Sequence, residues 1–211
     1  MPLLPIFLKL AGRRCLVVGA GNVAQEKILS LLHAEADLTV VSPEALQEIR
    51  GNAQAGRLRW EQRVFASEDL NGMFLVITAT SSPEVNRQVY LLAAERNILC
   101  NSVDDPPNCD FYFPSLVERG DLQIAISTAG ESPALAQRLR REIDALLAPD
   151  LGAWLGQLGE LRRDILQRYV PGDSRKMLLH ELASRSLCEL PDCPSRQLVR
   201  AAALDRRDES S

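Results

Sequence analysis

Short apolar runs alternate with helical segments through the first hundred residues, and this alternation predicts a doubly wound parallel α/β sheet. A G-x-G-x-x-A pattern directly after the first run marks that sheet as Rossmann-like. At Pro106-Pro107 the pattern changes to a hairpin signal and then to unbroken helical periodicity. The predicted architecture is a Rossmann-like domain over 1–113, a small α/β segment over 114–150 and an all-helical C-terminal domain over 151–211.

Cys15-Leu-Val-Val-Gly19 reads as a buried strand ending at glycine, and Val23–His33 as a helix with Val23, Lys27, Ile28, Leu31 and Leu32 at helical spacing. Asp37–Ser42 is a second strand, followed by a helix from Pro43 to about Ala55. Leu58–Trp60 is a third strand and Met73–Thr78 a fourth. Pro83 opens a helix to Arg96, at a position where its missing N–H does no harm, and Ile98–Cys100 is the fifth strand. Phe111–Glu118 and Leu122–Ser127 are β-rich runs joined by Arg119-Gly120-Asp121, a hairpin turn signal. Ser132-Pro133 is an N-cap followed by proline in the first turn, starting a helix to about Leu147. Helices follow from Leu151 to Tyr169 and from a cap at Asp173. Pro191 and Pro194 end the latter, and the final residues, 205–211, read as a disordered tail.

Within Gly19-Ala20-Gly21-Asn22-Val23-Ala24, Gly19 permits the tight turn and Gly21 lets backbone approach a pyrophosphate. The small Ala24 lets the helix pack close to the strand. The helix N-terminus presents free N–H groups and a partial positive charge to phosphate. A tight structural turn is the competing explanation. The second strand leads into Ser42-Pro43-Glu44, where Ser42 or Glu44 is placed to bond an adenosine ribose hydroxyl, and where Ser42-Pro43 also suits a plain helix cap. Because no arginine follows that strand directly to receive a 2′-phosphate, NAD is expected rather than NADP. Thr80 follows the fourth strand at the carboxyl edge, where ligands bind in such sheets.

Asp104 and Asp105 follow the fifth strand, before the two prolines. A carboxylate there faces the crevice and suits a general base; an aspartate capping a turn before proline is the equally available alternative. Arg138 and Arg141 share one helix face, with Arg119 in the preceding turn, and such a set suits a polycarboxylate ligand. The 114–150 segment carries four arginines against six acidic residues, so a solvated surface explains the same residues.

The 211 residues carry 24 Lys plus Arg against 28 Asp plus Glu, a net charge of −4, which argues against a non-specific grip on nucleic acid. No apolar run reaches the roughly 20 residues needed to cross a bilayer, so no membrane partner is expected. Of five cysteines, Cys15 and Cys100 sit in apolar runs as small core residues, and none forms a C-x-x-C. Cys188 and Cys193 with His180 make a weak metal-site pattern, and the metal ligands are otherwise unknown. Arg13-Arg14 before an apolar run imitates a twin-arginine export signal, but that run ends in the phosphate-loop glycines. A cytoplasmic protein is expected.

Leu4-Pro-Ile-Phe-Leu8, Cys15–Ala24, Val76-Ile-Thr-Ala-Thr80, Asn101-Ser-Val-Asp104 and Ser127-Thr-Ala-Gly-Glu-Ser-Pro133, in this order, resemble siroheme synthase. The likeness is to its precorrin-2 dehydrogenase/sirohydrochlorin ferrochelatase module and spans residues 2 to about 150. The methyltransferase domain of fused members is not expected, the chain ending at Ser211. The resemblance implies NAD held by Gly19, Gly21, Asn22 and Val23, with Pro43 and Glu44 on the adenosine side. It implies acid–base work at Asp104, for dehydrogenation and for metal insertion. It also implies a homodimer in which 114–150 is exchanged as a dimerisation segment. Thr128 stands where some relatives carry a phosphorylatable serine near the active site.

The implied reaction is NAD-dependent oxidation of precorrin-2 to sirohydrochlorin, with ferrous iron as substrate of a chelatase step that yields siroheme. Precorrin-2 is a macrocycle rimmed with carboxylates, for which Arg119, Arg138 and Arg141 are the candidate anchors, with Thr128 beside them. A regulatory NAD-sensing module would use the same glycine loop but would have no use for Asp104. A dehydrogenase of a small acid would need a His or Lys base, and the two histidines are His33 and His180.

Overall fold

The computed structural model describes residues 3–183. The Cys188–Cys193 pair, the prolines at 191 and 194 and the tail lie outside the described residues. The chain divides into two compact units. One comprises Met1–Phe113 with Ala129–Glu131, and the other comprises Pro114–Thr128 and the chain from Ser132 onward.

In the first unit, five strands pair in parallel: β1 (Arg14–Val18), β2 (Asp37–Val41), β3 (Arg59–Glu61), β4 (Leu75–Thr78) and β5 (Leu99–Ser102), in the order β3-β2-β1-β4-β5. Val, Leu, Ile and Cys fill these strands because both faces are covered, and strands buried on both sides read as continuous apolar runs. Cys15 and Val17 face one layer with Ile28 and Leu31 of α1 (Asn22–His33) and Ile49 of α2 (Gln47–Gln54). Leu16 and Val18 face the other, with Val89 and Ala93 of α3 (Pro83–Glu95). β1 is thus the central strand, which explains the apolar run behind Arg13-Arg14.

Pairing register sets what stands at the carboxyl edge. Val18 lies opposite both Val41 and Thr78, and Thr78 opposite Ser102. The chain therefore leaves β1, β2, β4 and β5 at one level, bringing Gly19, Ser42, Ala79 and Val103 to a common rim.

Three sequence expectations shift. The second helix begins at Gln47 rather than Pro43, because the Ser42 hydroxyl donates to the Glu44 carbonyl and Leu46 N–H donates to Ala20 O (3.2 Å), which holds residues 42–46 as a turn. The sixth strand begins at Ser115, not Phe111; Phe111 instead packs on the core of the first unit and meets Phe113 at 5.7 Å between ring centroids. Gly172, not Asp173, caps the last described helix.

The second unit contains an antiparallel hairpin, β6 (Ser115–Arg119) and β7 (Leu122–Ile126), with Arg119 opposite Leu122. Its two-residue turn puts Gly120 at φ +57° in the first turn position, where a type II′ turn calls for glycine. α4 (Pro133–Leu146) follows, its N-terminus capped by Ser132 Oγ, which accepts from Leu135 N–H. α5 (Leu151–Arg168) and α6 (Asp173–Leu182) pack through Leu161, Ile165 and Leu182. Gly152 in the first turn of α5 lies so close to the hairpin turn that a Cβ there would sit 2.7 Å from both Arg119 O and Gly120 N. Among the described residues, no helix is long and apolar enough to cross a membrane.

Candidate active site

The turn after β1 is wedged between two neighbours. Gly19 N–H donates to Val41 O (2.9 Å), and Ala79 N–H donates to Val18 O (2.9 Å). Gly19 adopts φ +109°, and a Cβ on it would stand 2.4 Å from the Ala79 carbonyl oxygen. Only glycine fits there, on both conformational and steric grounds.

Gly21 is different. Its φ is −86°, and a Cβ there would meet nothing within 4 Å. It is the N-cap of α1, and neither a side-chain cap nor an acidic residue serves the first turn. The exposed Asn22 and Val23 stand at this uncapped end, where the first N–H groups lack intrahelical acceptors. Open space above Gly21, unsatisfied donors and the positive end of a helix dipole fit the pyrophosphate of a dinucleotide.

At the rim beside β2, Ser42 is buried and its polar groups are engaged: its hydroxyl with Glu44 O, and its carbonyl with Trp60 Nε1–H at 3.1 Å. Pro43 and Glu44 are exposed, which leaves Glu44 as the available side chain there. Of the two side chains expected to read a ribose, the Ser42 hydroxyl already donates within the turn and Glu44 is exposed. Thr80, after β4, likewise turns its hydroxyl inward, to Asn86 Oδ1 (2.7 Å) and Ser82 O (3.1 Å).

Asp104 stands beyond β5 at φ +61°, a left-handed conformation that aspartate tolerates better than most residues. Its carboxylate is exposed. The loop around it is tightly tied. Val103 N–H donates to Thr78 O (3.0 Å), and Asp105 N–H to Ser102 O (3.1 Å). The Asp105 carboxylate accepts from Asn108 Nδ2 (2.6 Å), so Asp105 is the turn-holding residue of the pair. At the base of the loop, buried Asn101 donates to Phe111 O (2.7 Å), and Asp110 accepts from Cys100 N–H (2.9 Å).

Burial pushes the Cys100 thiol up to about 12 and Cys15 to about 11, and raises Cys109 as well. These three thiols stay protonated at neutral pH and are poor nucleophiles. Among the described residues no group of three or more His, Cys, Asp or Glu is placed to hold a metal ion.

The second unit carries the remaining predicted site residues. Arg119 acts as an internal strut of this unit. Its guanidinium pairs with the Asp144 carboxylate at 2.8 Å and donates to Asp144 O and Glu118 O, and its Nε is buried. Thr128 Oγ1 accepts from Ser132 N–H (3.2 Å), bracing the entry to α4. Arg138 and Arg141 are exposed, as their shared helix face predicts; Arg138 makes one exposed ion pair with Glu142 at 3.2 Å. His180 is exposed on α6.

Sequence reasoning missed Asn86. It is buried on α3, accepting from the Thr78 and Thr80 hydroxyls and donating to Thr80 O. The available signal was its spacing: Asn86 shares a helix face with Val89 and Ala93, and a lone amide on an apolar face needs partners.

Residues 6–115 match the model of a putative NAD(P)-binding family, and 119–146 match that of a central segment of sirohaem biosynthesis proteins. The chain is 45% identical over 168 residues to a siroheme synthase of Photorhabdus laumondii, covering 80% of this chain and 36% of that protein. It is 41% identical over 182 residues to a siroheme synthase of Methylobacillus flagellatus, covering 86% and 39% respectively. It therefore spans little more than a third of the curated relatives it matches. Among solved structures it resembles the precorrin-2 dehydrogenase SirC, with a TM-score of 0.81 at 27% identity, covering 94% of this chain and all of that one.

Proposed function

From the premise that this chain belongs to the putative NAD(P)-binding family, we propose that it oxidises precorrin-2 to sirohydrochlorin with NAD and then inserts ferrous iron to give siroheme. The observation that carries the reading is Asp104. It is an exposed carboxylate held at positive φ on the sheet's carboxyl edge, in a chain whose β1 turn ends in an open, uncapped helix. The likeness to a precorrin-2 dehydrogenase over the whole of that chain supports the same substrate.

The backbone N–H groups at Gly21, Asn22 and Val23 would hold the pyrophosphate, and Gly19 permits the turn that places them. Glu44, exposed beside Pro43 at the same rim, would hold the adenosine ribose and disfavour a 2′-phosphate by like charge. Thr80 stands at the rim, where its polar groups are held by Asn86. When bound, NAD supplies a hydride acceptor. Oxidation of precorrin-2 removes a hydride and a proton, and the Asp104 carboxylate takes the proton and returns it to water. In iron insertion the metal replaces two pyrrole N–H protons, and Asp104 is again the receiving base, with iron as substrate rather than resident cofactor. Arg138 and Arg141 engage the carboxylate arms of the macrocycle.

The reading includes a homodimer, built through 114–150 between an NAD-binding part (1–113) and a helical part (151–211). Leu116, Leu135 and Leu146 of the hairpin and α4 are exposed, and a second copy of this surface would cover them. It also places the enzyme in the cytoplasm, a compartment that suits the free thiols of Cys15, Cys100 and Cys109.

Absorbance spectra of the purified protein with precorrin-2 and NAD, followed by ferrous iron, test both steps. NADH formation with the sirohydrochlorin spectrum is expected first, then the siroheme spectrum. Unchanged precorrin-2 would refute the assignment. Sirohydrochlorin that metallates no faster than without protein would confine it to dehydrogenation.

A further inference from the structure

A buried amide braces the rim loop after β4. Asn86 is 8% exposed and reaches across from α3 to the last residue of β4 and to the loop beyond it. Its Oδ1 accepts from Thr78 Oγ1 (2.6 Å), Thr80 Oγ1 (2.7 Å) and Thr80 N–H (3.2 Å), while its Nδ2 donates to Thr80 O (3.1 Å). Both ends of the amide are used, on one residue's hydroxyl, amide and carbonyl together. That fixes the backbone orientation of Thr80 rather than merely its position.

The same loop is what the β1 turn rests against: a Cβ on Gly19 would stand 2.4 Å from Ala79 O and 3.3 Å from Thr80 N. The two segments are also tied directly, Ala79 N–H donating to Val18 O (2.9 Å), so the orientation of the Ala79–Thr80 peptide is coupled to the glycine turn. Ser82 then caps α3 by accepting from Val85 N–H (3.3 Å), so the loop is pinned at both ends.

We propose that Asn86 is a positioning residue for the dinucleotide, presetting the Ala79–Thr80 peptide and through it the Gly19 turn before the cofactor arrives. The inference rests on the NAD-binding part of the proposed function. It also changes the part played by Thr80: its hydroxyl, N–H and carbonyl all bond Asn86, so it serves the site by shaping the rim loop. A preset binding surface gives up less ordering entropy on binding, so loosening it lowers affinity without removing any contact to the ligand.

The test uses the full chain and NAD itself. Asn86→Leu keeps the branched heavy-atom skeleton and removes both polar ends; Thr80→Val removes only the hydroxyl. Calorimetry should show Asn86→Leu weakening NAD by about tenfold or more, the range in which single buried hydrogen-bonding groups act. Thr80→Val should lose less, and the double variant should be no weaker than Asn86→Leu alone, because both act through one network. In the ligand-free protein, amide exchange at residues 79–82 should accelerate in Asn86→Leu. Losses that simply add would make the Thr80 hydroxyl an independent cofactor contact and overturn the proposal. So would a lower Tm with NAD affinity within twofold of wild type, which would leave Asn86 a plain packing residue. Should Asn86→Leu fail to fold, Asn86→Asp keeps the acceptor and sets a carboxylate oxygen against Thr80 O. It should weaken NAD, and wild-type affinity in it would equally overturn the idea. If wild type binds NAD yet leaves precorrin-2 unoxidised, only the catalytic assignment fails; if it binds no NAD, both fail.

Discussion

The two units solve the same problem with unequal means. In the first, β1, β2 and β4 are buried along almost their whole length, and two apolar layers sandwich the sheet. In the second, the hairpin alternates, with Val117 its one fully buried side chain among β6 and β7. A sheet covered on both faces holds a rim to fixed geometry, and a two-stranded hairpin is marginal until something covers it. The difference separates a part whose sheet is covered on both faces by its own helices from a part whose hairpin leaves Leu116 and, on the helix beside it, Leu135 exposed.

The sharpest way to strain that comparison is at Asp104, which the first unit merely displays. Asp104→Ala should retain NAD affinity and fold while losing on the order of 10²–10⁴ in dehydrogenation rate, as loss of a general base does. NADH formation from precorrin-2 reads the loss, and wild-type turnover would end the assignment. Asp105→Ala acts on the loop instead. It removes the acceptor for Asn108 and should cost a smaller factor in the same assay.

Next comes the glycine turn. Gly21→Asp finds open space for its side chain, so the protein should fold, but it sets a negative charge where the pyrophosphate belongs. NAD binding should fall by about a hundredfold or more, the cost of about 3 kcal/mol. Unchanged affinity in calorimetry would make the turn a structural one. Gly19→Ala should fail differently, by lowering Tm, because its Cβ meets Ala79 O at positive φ.

In the second unit, sedimentation at micromolar concentration should give about twice the 23.3 kDa chain mass. Leu135→Lys on the exposed face of α4 should shift it toward the single-chain mass. A monomer with full activity would show that the hairpin needs no partner. The smallest effect is expected at Gly152→Ala, whose added methyl presses on the hairpin turn and should cost about 1–3 kcal/mol in a denaturant titration.

The strand runs were legible because burial on both faces leaves an unbroken apolar signature, and so were the glycine turn and the Ser132-Pro133 helix start. Boundaries slipped where side-chain bonds overrule propensity, as at Ser42, whose hydroxyl delays α2. The fates of Ser42, Thr80 and Arg119 were not legible at all. Each depends on a partner that the fold supplies, as Asp144 does for Arg119 from 25 residues away, and periodicity carries no such information. Asp104 was legible as a position, at the end of the fifth strand, but not in its left-handed backbone.

The bare N-terminus of α1 also ties folding to metabolism. A dinucleotide that binds at this exposed helix end and not to the unfolded chain adds to the protein's stability: at a hundred times Kd, NAD would add about 2.7 kcal/mol. When dinucleotide runs short, more chains open and proteases reach them first. The Tm and the protease resistance of the purified protein should therefore rise with NAD concentration.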